Sequence, residues 1–175
     1  ITSAESVPSG ALTWGGSAIG AHCLVKGEMH RRTSPQDGKS YAIGFEMRLP
    51  NAWNGRFFYQ ANGGIDGSVA TALGGGGPVP TTALQQGFAV ISSDAGHSGS
   101  TDPGFGIDFQ ARLDYGYQAA AKLTPMAKAL IAAAYGKGPD RSYFGGCSNG
   151  GRHTFVAMTR MPDQYDGYLA GAPGY

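Results

Sequence analysis

Charge is scarce in this sequence: Asp, Glu, Lys and Arg make up 14% of its 175 residues, against about 25% in ordinary soluble domains. The formal net charge is +1, and no stripe or block of like charge stands out. That excludes the electrostatic footprint of a nucleic-acid binder or a polybasic membrane binder. No stretch approaches the roughly 20 apolar residues that a membrane helix requires; the best candidate, Ala129–Tyr135, is far too short. Neither of the 2 cysteines belongs to a C-x-x-C pair, so no zinc signature exists. Cys23 and Cys147 leave three states open: one disulfide, two free thiols, or two bonds to partners outside the chain. The first residue is Ile1 and no basic-then-apolar leader follows it. The expectation is a processed chain or a piece of a longer one.

What the sequence does contain is apolar mass and glycine. Hydrophobic residues reach 41% and aromatic residues 11%, enough to bury a core, and the length fits one domain. Glycine occurs 30 times, far above the usual share of about 7%, with no G-X-Y period. The glycines gather at particular loops, and Gly74-Gly75-Gly76-Gly77 is the single low-complexity piece.

The first half reads as strands and loops. Ala18–Arg31 and Ser40–Leu49 are expected to form an antiparallel pair across the turn-rich segment Thr33–Gly38. Arg56–Gln60 is nearly continuous in aromatics, the mark of a strand covered on both faces. It feeds into Asn62-Gly63-Gly64. Phe88–Ser93 is a second buried-strand candidate, ending in Asp94-Ala95-Gly96-His97.

The second half changes period. Leu113, Tyr117, Ala120, Ala121, Leu130 and Ile131 fall near helical spacing within Arg112–Tyr135. Pro125 predicts two helical segments or one kinked helix there, and Gly136 with Gly138-Pro139 stops it. A strand over Ser142–Gly145, a helix from about Gly150 to Met161 and a strand over Tyr168–Gly171 follow. Strands alternating with helices imply parallel crossovers and an α/β class.

Gly146-Cys147-Ser148-Asn149-Gly150 matches G-x-S-x-G. The pattern is short, and a plain strand–turn–helix with an incidental serine is the competing reading. Context favours a nucleophile elbow, because a strand precedes the motif and a helix follows it. A serine at the apex is held in a strained conformation, and side chains at the flanking glycines would strike neighbouring backbone. Ser148 would then stand at the amino end of a helix, where backbone N–H groups favour developing negative charge. An oxyanion hole needs two such donors. Asn149, next to the nucleophile, supplies one by position. The other would come from Gly63 or Gly64, with Gly64 preferred; a merely flexible turn is the competing reading of these glycines.

These residues also carry a family resemblance. Asn54-Gly55-Arg56-Phe57, Asn62-Gly63-Gly64, Ser93–His97, Asp114–Tyr117, Tyr143–Arg152 and Tyr165–Pro173 look, in order, like the tannase and feruloyl esterase family. The Cys-Ser-x-Gly-Gly core is the most specific of these matches. The resemblance implies a serine carboxylic ester hydrolase, secreted or periplasmic, acting on small esters of aromatic acids such as ferulate, gallate or a terephthalate monoester. It implies an α/β-hydrolase fold, mostly parallel with an antiparallel N-terminal hairpin. Residues 1–175 would be the N-terminal part of that catalytic domain. The remaining strands, the lid with its calcium site and the catalytic Asp and His would lie in C-terminal polypeptide outside this chain. No cofactor is expected within residues 1–175. The resemblance also implies that Cys147 bonds a cysteine outside the chain, beside that histidine.

Inside the chain a proton shuttle is hard to assemble. His153 lies five residues after Ser148, tied to the same elbow. His97 with Asp94 is the best internal pair, but α/β-hydrolases take acid and base from after the nucleophile; ordering a loop by hydrogen bonding is the role expected of His97. His22 and His30 are expected at the surface. Gly38-Lys39-Ser40 looks like the end of a phosphate-binding loop, but Thr33 stands where its leading glycine is required. Asp66, Asp102, Asp108 and Asp114 are too scattered for a calcium loop. Trp14 and Trp53 read as packing residues. Two rivals remain: another α/β-hydrolase, such as a lipase or acyltransferase, and a non-catalytic module that keeps the fold without the triad.

Overall fold

A computed structural model describes residues 1–75 and 79–174; part of the Gly74–Gly77 run lies outside the described residues. The strands are β1 (Ser3–Val7), β2 (Thr13–Trp14), β3 (Ser17–Ala18), β4 (His22–Thr33), β5 (Ser40–Pro50), β6 (Arg56–Ala61), β7 (Ala89–Ser93), β8 (Arg141–Cys147) and β9 (Gly167–Gly171). Seven of them form one sheet in the order β1-β4-β5-β7-β6-β8-β9, with β2 and β3 paired apart. β1, β4, β5 and β7 meet antiparallel, whereas β7, β6, β8 and β9 run parallel. The fold is therefore α/β with a mostly parallel sheet and an antiparallel N-terminal hairpin, as the sequence implies.

The expected early strand over Ala18–Arg31 splits. Ala18 belongs to the small β2–β3 ribbon, and the long strand begins at His22. A register shift between Met29 and Arg32 bulges β4, with His30 there at φ 55. His30 is exposed, but His22 is not a surface residue. It is 1% exposed, with Nε2 2.7 Å from Arg48 Nη1 and Nδ1 2.8 Å from the Gly20 carbonyl. Burial lowers its pKa first, with the Arg48 charge adding to that.

Alternation along β6 and β7 builds two cores, one on each face of the sheet. Phe57, Tyr59, Ala61, Ala89 and Ile91 join Val25, Ile43, Phe45, Met47 and Phe144 on one face. Phe58 and Val90 point the other way, to Ile19, Ala72, Ala83 and Leu84. The aromatic run is thus a strand covered on both sides, and Tyr59 stacks on Phe144 at 4.6 Å.

The helices are α1 (Phe109–Leu113), α2 (Ala119–Tyr135) and α3 (Asn149–Arg160). Ala119, Ala120, Leu123, Ala127 and Ile131 of α2 close the first core. Pro125 neither splits nor ends α2, which runs on to Gly136, a left-handed cap at φ 75. The irregularity lies earlier, where Asp114–Gln118 winds as a π-helix between α1 and α2. Trp53 stacks on Tyr135 at 4.2 Å, and Trp14 packs against the second core.

Cys23 and Cys147 are not bonded to each other. They lie on β4 and β8, four strand spacings apart in the sheet. At about 4.8 Å per spacing the gap is far beyond the 7 Å Cα–Cα limit of a disulfide.

Candidate active site

Ser148 joins the end of β8 to the start of α3, at φ 60 and ψ −120. That backbone region costs a non-glycine residue of order 1–3 kcal/mol and persists only where its surroundings impose it. Here they do. Ser148 N–H donates to the Gly171 carbonyl (3.0 Å), and the Ser148 carbonyl accepts from Arg152 and Gly174 N–H groups (3.1 and 2.9 Å). The side chain at this apex is exposed.

The flanking glycines show why the motif needs them. A Cβ on Gly146 or on Gly150 would stand 2.3 Å from the Ala61 carbonyl oxygen, and one on Gly151 would stand 2.6 Å from that of Gly171. Such a turn can be built only where these positions carry no side chain. It also presses the elbow against the end of β6, from which the Asn62-Gly63-Gly64 loop departs.

The start of that loop is pinned at Asn62. Asn62 Nδ2 donates to Ser92 Oγ (3.0 Å) and the Ser93 carbonyl (2.8 Å), and Gln60 Nε2 donates to Asn62 Oδ1 (3.0 Å). Gly63 passes close enough to the elbow that a Cβ on it would lie 3.7 Å from the Cys147 carbonyl. Gly64 sits at φ +64 with open space around its Cβ position. Both donors expected of an oxyanion hole thus belong to segments packed against each other beside Ser148.

Behind the elbow is a buried polar cluster that sequence reasoning missed. Asp66 Oδ2 accepts from Asn149 Nδ2 (2.7 Å) and from His153 Nε2 (2.8 Å). Asn149 Oδ1 accepts from Tyr115 Oη (3.0 Å) and Arg152 Nε (2.8 Å). The Arg152 guanidinium also lies 4.6 Å from the Tyr115 ring centroid. Both polar atoms of the Asn149 side chain thus have partners within the cluster, which leaves its backbone N–H as the group to reach a substrate. The only signal in the sequence was chemical type: a carboxylate in the glycine loop and a histidine one turn into the helix.

His97 and Asp94 do not form a pair. Asp94 Oδ1 accepts from Gly44 N–H (3.0 Å) and Gly96 N–H (2.8 Å). Burial pushes its carboxyl up to about 7, against the pull of those two hydrogen bonds. His97 is 2% exposed and stacks on Phe105 at 3.7 Å. Neither of its ring nitrogens has a well-formed hydrogen bond among the described residues; the Ile65 and Ala95 carbonyls lie near the ring without reaching that geometry. Burial holds its pKa below the ordinary 6.5, although the Asp66 charge and the nearby Ile65 and Ala95 carbonyls favour the charged ring. With His22 on Arg48 and His153 on Asp66, no buried histidine is hydrogen-bonded to Ser148 among the described residues.

A cavity of about 400 Å³ reaches Gly146 and Gly171 beside the elbow, although Ser148 itself does not line it. Phe58, Phe88, Tyr143 and Leu169 line it, alongside the second core.

Similarities to known proteins agree with this geometry. A family profile described as "Tannase and feruloyl esterase" matches residues 23–175. A mono(2-hydroxyethyl) terephthalate hydrolase of Piscinibacter sakaiensis is 43% identical over 169 residues, covering 91% of this chain and 28% of its own. A probable feruloyl esterase B-2 of Aspergillus flavus is 36% identical over 131 residues, covering 73% and 23%. The crystal structure of feruloyl esterase B from Aspergillus oryzae superposes with a TM-score of 0.80 at 29% identity, over 98% of this chain and 33% of that one. The chain thus spans about a quarter to a third of the length of these relatives. By the profile match and by the fold that carries its elbow, the chain belongs to the tannase and feruloyl esterase family.

Proposed function

We propose that residues 1–175 form the nucleophile-bearing part of a serine carboxylic ester hydrolase acting on esters of aromatic acids. The observation that carries this reading is Ser148, exposed at φ 60 and ψ −120 between β8 and α3, with the Gly63–Gly64 loop packed beside it. Ser148 Oγ attacks the ester carbonyl and yields its proton to a histidine base. The developing oxyanion receives the backbone N–H groups of Asn149 and Gly64. The base returns the proton to the leaving alcohol, and water then hydrolyses the acyl-enzyme by the same steps. The base and its carboxylate partner come from polypeptide outside residues 1–175, because His22, His97 and His153 make no hydrogen bond to Ser148 among the described residues.

The aromatic acyl class is supported by the names of two relatives, one a terephthalate monoester hydrolase and the other a feruloyl esterase. A secreted or periplasmic location and a disulfide from Cys147 to a cysteine outside the chain belong to the same proposal. No helix among the described residues is long and apolar enough to cross a membrane.

The test is Ser148→Ala in the full-length protein, assayed on methyl ferulate and a terephthalate monoester. A loss of several orders of magnitude in kcat, with the fold intact, supports the reading. Near wild-type turnover on every ester the parent cleaves would overturn it.

A further inference from the structure

We infer that Asp66 is a positioning residue that sets the spacing between the two halves of the oxyanion hole, acting through Asn149 and His153; this rests on the assignment of Ser148, Gly64 and Asn149 proposed above. The two N–H donors come from segments more than 80 residues apart in sequence. Catalysis requires both to aim at one oxygen, and a mismatch of about 1 Å is costly. Backbone packing of Gly146 and Gly150 on Ala61 fixes the elbow against the end of β6. It does not by itself fix the loop beyond Asn62, where Gly63 and Gly64 are free to adopt many conformations.

Asp66 supplies the missing constraint. It stands two residues after Gly64 at φ 58, a left-handed conformation that Asp and Asn tolerate better than most residues. Its own N–H donates to the Gly63 carbonyl (3.3 Å), closing a turn around Gly64 and Ile65. Gly67 N–H donates onward to the Asp94 carbonyl (3.1 Å) and anchors the far side of the turn to the end of β7. From this turn the carboxylate reaches across to α3. It takes Nδ2 of Asn149, the residue whose N–H is the other donor, and Nε2 of His153 one turn along the same helix face. Two contacts on one helix fix direction as well as distance.

Burial makes the clamp stiff. Asp66 is 6% exposed, Asn149 8% and His153 9%, so breaking either contact would strand a polar group away from water. The ring of His153 meets Tyr115 edge-on at 5.6 Å, which holds the imidazole plane. Tyr115 and Arg152 take up Asn149 Oδ1, so its amide has one orientation. Neither Asp66 nor His153 is bonded to Ser148. Both act at one remove.

The experiment uses the full-length protein with methyl ferulate, measuring kcat and KM separately beside thermal stability. Asp66→Asn is expected to lower kcat about 10- to 100-fold with KM little changed, below the 10²–10³ loss for deleting a donor outright. His153→Leu is expected to lower kcat similarly. His153→Gln, whose amide N–H falls where Nε2 was, is expected to recover most of that loss. Equal kcat for His153→Leu and His153→Gln, or wild-type kcat for a folded Asp66→Asn, would overturn the inference. If Asp66→Asn does not fold, the His153 pair decides alone. Ser148→Ala runs alongside: its inactivity with unaffected Asp66 and His153 variants rejects the clamp only, whereas turnover by Ser148→Ala rejects the functional reading beneath it.

Discussion

Gly150, at the start of α3, lies so close to the end of β6 that a Cβ on it would stand 2.3 Å from the Ala61 carbonyl oxygen and 3.1 Å from that of Asn62. The atoms it would strike are backbone, which cannot rotate aside as a flexible side chain would. Gly150→Ala must push α3 away from β6 or distort the strand. We expect a loss of about 1–3 kcal/mol from overpacking, read by chemical denaturation. The displacement also moves Ser148 and Asn149 away from Gly64, so kcat of the full-length protein should fall along with stability. A variant of unchanged stability would show that the elbow is looser than its packing implies.

Asp94 predicts an unusual pH dependence. Its carboxyl is raised to about 7 in the fold, above the unfolded value near 3.9. Between those values the native state binds more protons than the unfolded chain, so this residue's contribution to stability falls as pH rises from about 4 to 7. Asp94→Asn should remove that slope. Its stability relative to the parent should improve by about 2–4 kcal/mol on going from pH 4 to pH 8. A constant difference across that range, measured by urea titration at each pH, would mean that folding does not raise the Asp94 carboxyl.

His97 tests where the base comes from. Burial lowers its pKa in the fold, so its contribution to stability diminishes as pH falls below 6.5. Buried as it is, it has no hydrogen bond to Ser148. Residues 1–175 alone should therefore hydrolyse methyl ferulate and p-nitrophenyl acetate at or near the background rate. Robust turnover by the isolated chain, abolished by His97→Ala, would return His97 to the role of base.

How much of this was legible in the sequence depended on range. The elbow was readable because G-x-S-x-G sits between a strand and a helix, and the glycine spacing is imposed by local backbone contact. The two-sided burial of Arg56–Gln60 was readable from the aromatic run. Long-range polar contacts were not. Asp66 meets Asn149 and His153 across separations of 83 and 87 residues, and sequence reasoning set His153 aside and left Asp66 among the scattered carboxylates. His22 read as a surface residue because strand alternation alone does not show that Arg48 would cover it. Pro125 drew attention away from Asp114–Gln118, where the helix departs from α geometry around Gly116. The strand β1 was missed altogether, since Ser3–Val7 is mostly exposed and carries little hydrophobic pattern.

The central claim is that Ser148 is the nucleophile, and trapping the acyl-enzyme tests it most directly. The full-length protein would be mixed with an activated aromatic ester, quenched in acid within milliseconds to seconds, digested and analysed by mass spectrometry. One acyl group is expected, on the peptide containing Cys147-Ser148-Asn149, localised to Ser148 and absent from Ser148→Ala. An acyl group on another residue, or hydrolysis with no covalent intermediate and undiminished by Ser148→Ala, would contradict it.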